Sequence, residues 1–281
     1  MATLINGREI ASHVRAELKN QITSLKGRKP GLAFILIGDD PASGSYVRMK
    51  QRGCHEVGIE SHIVHLSAKI SEKELLAEID HLNCRQDIDG LLVQQPFPPQ
   101  IDTQNIMNAV DPKKDVDGFH PLNMGKLLLG QINGLVPCTP LGIIQLLKAY
   151  KISTDGKHVV ICGRSNIVGK PLAALLSQKS VWGNATVTLT HSHTPQLEQF
   201  TQMADILVGA MGRPHSIRAD MVKQGAVVID VGINRLEEKL VGDVAFEEVA
   251  PKCSYITPVP GGVGPMTIAM LLSNTLKSYL S

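Results

Sequence analysis

The sequence predicts an α/β fold of two units, and three observations carry that expectation. Short apolar runs alternate with amphipathic stretches of helical period along most of the chain. The 281 residues suit two domains, at roughly 100–200 residues per domain. Hydrophobic residues make up 43% and aromatics only 4%, so the core is built on Val, Ile, Leu and Ala, with 25 glycines to serve the turns. Strands alternating with helices imply parallel sheets covered on both faces.

Taken in order, Glu9 to Leu25 reads as an amphipathic helix, with Ile10, Val14, Leu18 and Ile22 four apart. GLAFILIG (residues 31–38) is a buried strand closed by the turn-forming GDDP. Asp40 is placed to cap a helix that opens on Pro41 and stops near Gly58. IVHLS follows as a strand, Ser71 to Leu82 as a helix with a Ser71/Glu74 capping box, and DGLLVQ as a third strand. Pro96 to Pro140 is rich in Pro, Gly, Asn and Asp and reads as site loops and a connection between domains. A second block starts at Lys157, with strands HVVIC, ATVTLT, ADILVGA and AVVIDVG. TPVPGGVGP is an irregular loop, and Met266 to Leu280 a final helix started by Pro265. The expected division is a first domain over 1–137 and a second over 138–265, with helix 266–281 packing back on the first.

Composition excludes several classes. Lys plus Arg is 28 and Asp plus Glu is 26, a net charge of +2 that leaves no basic footprint for nucleic acid. No apolar run approaches a membrane span, and the N-terminus lacks the apolar core of a secretory signal. Five widely spaced cysteines without a CxxC pair argue against a disulfide framework or structural zinc and fit a reducing cytosol. The expectation is a soluble cytoplasmic protein that engages neither membrane nor nucleic acid.

VVICGRSNIVGKPLAALL runs strand, glycine turn, helix, an arrangement whose backbone N–H groups favour an anionic pyrophosphate. Ser165 takes the place of the middle glycine in the usual fingerprint, so the turn alone is weak evidence. The following strand, ATVTLT, ends in His191, Ser192, His193 and Thr194, with no acid to bind a free ribose. Arg164 beside the turn and this missing carboxylate suit a 2′-phosphate, which favours NADP over NAD. His191 and His193 find no third ligand, so no metal is expected.

In SYVRMKQRGCHEVG, Tyr46 and Lys50 are four apart and share a helix face with Gly53 and Val57. A lysine on that stripe either snorkels to water or sits in a cavity, where its pKa would fall and fit it for proton transfer. Gln94 ends the strand GLLVQ, at the edge where open α/β sheets place a ligand crevice. Asp115 and Asp117 follow in KKDVDGFHP, where a carboxylate could bind a ring with adjacent N–H donors.

The segments SYVRMK, GLLVQQPFP, KDVDGFHP, PCTPLG, GRSNIVGKP, HSHT, AVVIDVGIN, GDV and PVPGGVGPMTIAMLLSNT together resemble the bifunctional methylenetetrahydrofolate dehydrogenase/cyclohydrolases, in order and spacing, over nearly the whole chain. The resemblance implies a folate-site domain, a Rossmann-type NADP domain and an active-site cleft between them. It implies NADP-dependent oxidation of 5,10-methylenetetrahydrofolate to the 5,10-methenyl form, then hydrolysis to 10-formyltetrahydrofolate. Lys50 matches the essential cyclohydrolase lysine, Gln94 the residue that tunes it, and Asp117 the anchor of the pterin's amino edge. Tyr46 matches a residue bordering the folate slot, and Ser43 is a further candidate there. Arg164 and Ser192 match the 2′-phosphate contacts, while Gly163, Ser165 and Ile233 line the dinucleotide groove. Pro260, Gly261 and Gly262 belong to a loop beside folate and nicotinamide. A homodimer is implied as well. Thr190 stands where the family often has Cys, and Cys162 extends the strand before Gly163. Two alternatives stay open: a dehydrogenase of this fold without the hydrolytic step, and a catalytically silent NADP-binding protein.

Overall fold

The computed structural model describes residues 2–131, 133–237 and 239–281. The elements begin with β1 (Thr3–Leu4), α1 (Gly7–Ser24), β2 (Gly31–Ile37), α2 (Pro41–Val57), β3 (Glu60–Leu66) and α3 (Glu72–Cys84). They continue with β4 (Gly90–Val93), α4 (Thr103–Ala109), α5 (Pro121–Leu128), α6 (Cys138–Ala149), β5 (His158–Cys162) and α7 (Gly169–Ser177). After these come β6 (Thr186–Thr190), α8 (Leu197–Thr201), β7 (Ile206–Gly209) and β8 (Val227–Asp230). The chain ends with β9 (Asn234–Leu236), β10 (Lys239–Val241), α9 (Phe246–Val249), β11 (Tyr255–Ile256) and α10 (Val263–Tyr279).

Two compact units result. The Lys50 unit gathers Ser12–Lys126, Gln131–Cys138 and Ile268–Ser281, and the Arg164 unit gathers Met1–Ala11, Leu127–Gly130 and Thr139–Thr267.

The Lys50 unit is built on a parallel sheet in the order β3-β2-β4, where Ala33 pairs His62 on one side and Leu91 on the other. β2 carries no polar side chain and is covered on both faces, as an inner parallel strand must be. Leu75, Ile79 and Leu82 of α3 lie three and four apart and pack on Ala33, Ile35, Leu91 and Val93. Local chemistry sets the helix ends. The Asp40 carboxylate accepts from Ser43 N at 2.7 Å, and Gly58 closes α2 at φ 85. Ser71 and Glu74 form the reciprocal capping box of α3.

The stretch expected to be loops holds two helices and the start of a third instead. α4 is opened by Asp102, whose carboxylate accepts from Gln104 N and Asn105 N, and α5 by Pro121. Caps buried in a run of turn-forming residues look like more turn, which hid these helices from the pattern. Within the same unit, the end of α10 ties the loops together. Ser278 Oγ donates to the Asp89 and Lys113 carbonyls, and Lys277 Nζ to the Gly134 carbonyl.

The Arg164 unit carries a sheet in the order β1-β11-β8-β7-β5-β6, every pairing parallel. Its core joins Val160, Cys162, Leu207, Val228, Val249 and Ile256. Residues 1–11 belong here because β1 hydrogen-bonds β11, near the far end of the chain. β9 and β10 form a separate antiparallel hairpin.

Both sheets share one topological feature. β2 lies between β3 and β4, and β5 between β6 and β7, so consecutive connections leave the central strand in opposite directions. Such a switch point opens a crevice at the carboxyl ends of the strands. No helix of the described residues is long and apolar enough to cross a membrane.

Candidate active site

The site in the Lys50 unit grows from the β2/β4 switch point. The chain leaves β2 through Gly38 and enters α2, which carries Ser43, Tyr46 and Lys50 on successive turns. Ser43 is buried, Tyr46 is exposed and Lys50 is half-buried. The Lys50 Nζ donates to Gln94 Oε1 at 2.9 Å, so it is not a free surface amine. Gln94 itself continues β4, its backbone N donating to the Ile35 carbonyl at 2.9 Å. Its side-chain Nε2 donates to the Gln95 carbonyl at 2.7 Å, which leaves only the oxygen to face the lysine.

The two neighbouring acids divide their work. Asp115 is 5% exposed, and its carboxylate accepts from Phe119 N, His120 N and Asn123 Nδ2. Burial pushes that carboxyl up to about 6, against the pull of those hydrogen bonds. Asp115 therefore holds the loop. The Asp117 carboxylate accepts no hydrogen bond among the described residues, and burial pushes its pKa up while the Lys50 charge pulls it back. An acid kept beside a lysine and left without protein donors is ready for a ligand's N–H groups.

The Arg164 unit has its own crevice at the β5/β7 switch point. Gly163 ends β5 at φ 139, and a Cβ there would lie 2.1 Å from the Ala210 carbonyl oxygen beyond β7. Only glycine fits that approach. Arg164 and Ser165 follow on the exposed turn, and Ser192 stands exposed just past β6, the strand beside β5. Arg164 makes no ion pair with any described residue. α7 begins without a side-chain cap; Lys170 N already donates to the Ser165 carbonyl and Pro171 has no N–H, so the Gly169 amide is the first-turn donor left for an anion. These donors, with no carboxylate at the end of β6, fit a dinucleotide carrying a 2′-phosphate. Ile233 is exposed in the segment after β8. Pro260, Gly261 and Gly262 lie in the same unit, where the Gly261 carbonyl accepts from Arg8 N at 3.1 Å.

A family model described as the catalytic domain of tetrahydrofolate dehydrogenase/cyclohydrolase matches residues 5–117, and one described as its NAD(P)-binding domain matches 137–281. The chain belongs to the tetrahydrofolate dehydrogenase/cyclohydrolase family. A curated relative from Brevibacillus brevis, bifunctional protein FolD, is 55% identical over 280 residues, 99% of this chain and 97% of its own. The solved FolD of Campylobacter jejuni is 51% identical with a TM-score of 0.96, over 99% of this chain and 98% of that one. The FolD of Trypanosoma brucei, solved with NADP cofactor and an inhibitor, is 37% identical with a TM-score of 0.93, over 99% and 97% of the two chains. Shikimate dehydrogenase of Aquifex aeolicus, at 13% identity and a TM-score of 0.52 over 91% of this chain and 93% of that one, shares the fold alone.

Sequence reasoning passed over several supporting residues of this family member. Asp243 is fully buried and accepts from the backbone N of Met211, Gly212 and Arg213, fixing the turn after β7. Asp230 accepts from Gly232, Asp243 and Val244 N, and burial pushes its carboxyl up to about 6. Asn274, 2% exposed, interrupts the apolar face of α10. A lone amide among Leu and Met was the available signal, since a buried amide must find partners.

Proposed function

We propose that this family member oxidises 5,10-methylenetetrahydrofolate to the 5,10-methenyl form with NADP and then hydrolyses it to 10-formyltetrahydrofolate. The observation that carries the reading is the Lys50–Gln94 hydrogen bond at 2.9 Å beside Asp117, whose carboxylate accepts no hydrogen bond among the described residues. Asp117 takes the pterin's amino edge, with Tyr46 and Ser43 along the ring system, while in the Arg164 unit Pro260, Gly261 and Gly262 lie beside the nicotinamide. Arg164 and Ser192 take the 2′-phosphate, and Gly163, Ser165 and Ile233 line the dinucleotide groove. Bound NADP supplies the hydride acceptor. Among the described residues, no group of three or more His, Cys, Asp or Glu side chains is placed to hold a metal ion.

The chain's own residues carry the second step. Loss of hydride leaves an amidinium that is already electrophilic at carbon. A water oxygen bonds to that carbon and gives up a proton. The carbon–N5 bond then breaks as N5 gains a proton and the hydroxyl on the carbon loses its own to solvent, leaving the formyl group on N10. Gln94, a neutral amide, orients the amine through its oxygen without forming an ion pair. Lys50, held by the Gln94 oxygen, is placed to accept the water's proton and return it to N5.

We read the protein as a cytoplasmic homodimer whose product serves purine biosynthesis. The test is direct. Purified protein mixed with methylenetetrahydrofolate and NADP⁺ gives reduced nicotinamide and a methenyl absorbance that rises and decays, with a slower reaction on NAD⁺. Reduction without decay of the methenyl signal, beyond its uncatalysed rate, would leave a dehydrogenase only.

A further inference from the structure

The carboxylate of Asp117 is not held by its own hydrogen bonds, so its position is set by the backbone that carries it. That backbone is pinned on both sides. The Val116 carbonyl, which belongs to the peptide leading into Asp117, accepts from Asn274 Nδ2 at 2.8 Å and from Cys138 Sγ at 3.2 Å. Asn274 Nδ2 also donates to the Val136 carbonyl at 2.9 Å, so one amide joins the Asp117 loop to the segment before α6. On the other side, Gly118 adopts φ 76 and packs so closely on Val136 and Pro137 that a Cβ would lie 2.5 Å from Pro137 N. Rotating the Val116–Asp117 peptide would swing the carboxylate, and both donors oppose that rotation.

Asn274 is buried on α10, where Thr275 and Leu276 are buried as well. An amide at such a position costs free energy unless its donors are used, and here one goes to the loop that bears Asp117 and the other to the segment before α6. Leucine would fit the helix's composition equally well. The spare chemistry of Asn274 therefore goes into placing a peptide rather than filling the core.

We infer that Asn274 and Cys138 are positioning residues for folate: they fix the Val116 carbonyl and thereby aim the Asp117 carboxylate at the bound pterin. The inference rests on Asp117 being the pterin anchor. It extends the folate site to the last helix and to the segment before α6.

Equilibrium titration with tetrahydrofolate, together with KM and kcat for both activities, tests this in the full-length enzyme. Asn274→Leu is expected to weaken tetrahydrofolate binding by about five- to thirtyfold, the range of one to two lost hydrogen bonds. The KM for NADP should stay within about twofold. Cys138→Ala, a milder change that keeps the loop buried, should weaken folate less, and Cys138→Ser, which restores a donor, should recover the loss. In an Asp117→Asn background, Asn274→Leu should have little further effect, because its influence passes through the missing carboxylate. Additive losses, or a fall in thermal stability and kcat with unchanged folate affinity, would overturn the positioning role. Normal tetrahydrofolate affinity in Asp117→Asn alone would instead overturn the anchor assignment on which the inference stands.

Discussion

Arg164 is the residue on which the proposed preference for NADP rests. It is exposed, unpaired among the described residues and one position past the glycine that brings β5 against the β7 turn. A guanidinium gains most from a doubly charged phosphate monoester, which NAD lacks. Arg164→Ala should therefore weaken NADP by about 1.5–3 kcal/mol and leave NAD nearly unchanged. Titration of both nucleotides checks this, and equal losses would move the phosphate site elsewhere. The missing acid after β6 and the arginine at the turn are local features, so the sequence alone displays both. The difference between Asp115 and Asp117 was not legible in the residues themselves, and only the family resemblance singled out Asp117. Two carboxylates in one short loop look equivalent until the backbone amides that claim Asp115 are in place.

Among the elements, α2 and α3 could be read to within a residue or two, since Asp40, Gly58, Ser71 and Glu74 act on backbone groups three or four positions away. β1 and β11 could not. Each has two residues, and their pairing joins Thr3 to Tyr255, a partner that no local pattern encodes. The loop bearing Asp117 depends on a contact of the same distant kind. Gly118→Ala would force a left-handed residue with a Cβ against Pro137, costing at least about 1–2 kcal/mol from the backbone alone. The expected outcome is a lower urea midpoint and weaker folate binding together, with NADP affinity retained. An unchanged urea midpoint would show that the loop shifts freely and is not held as the hydrogen bonds indicate.

For the molecule as a whole, the two buried carboxyls near 6 give stability a definite pH dependence. Asp115 and Asp230 bind a proton more tightly folded than unfolded, where a free Asp titrates near about 3.9. Their favourable contribution is thus complete below about pH 4 and is lost as pH rises through about 6. Carboxyls with lowered pKa, such as Asp205, held by the Lys223 side chain, act in the opposite sense and lose their contribution in acid. Urea midpoints between pH 4 and 6 should therefore fall less steeply in Asp230→Asn than in the parent chain. An identical slope in both would remove Asp230 from the balance.

Lys50 joins these scales, since its helix, its Gln94 partner and its neighbour Asp117 meet at one switch point of one unit. Lys50→Met, assayed with methylenetetrahydrofolate and NADP⁺, tests that placement most directly. The expected result is reduced nicotinamide formed together with a methenyl signal that accumulates and decays only at its uncatalysed rate, while NADP binds as tightly as before. Enzymatic conversion to 10-formyltetrahydrofolate at the parent rate would place the hydrolytic chemistry on some other group.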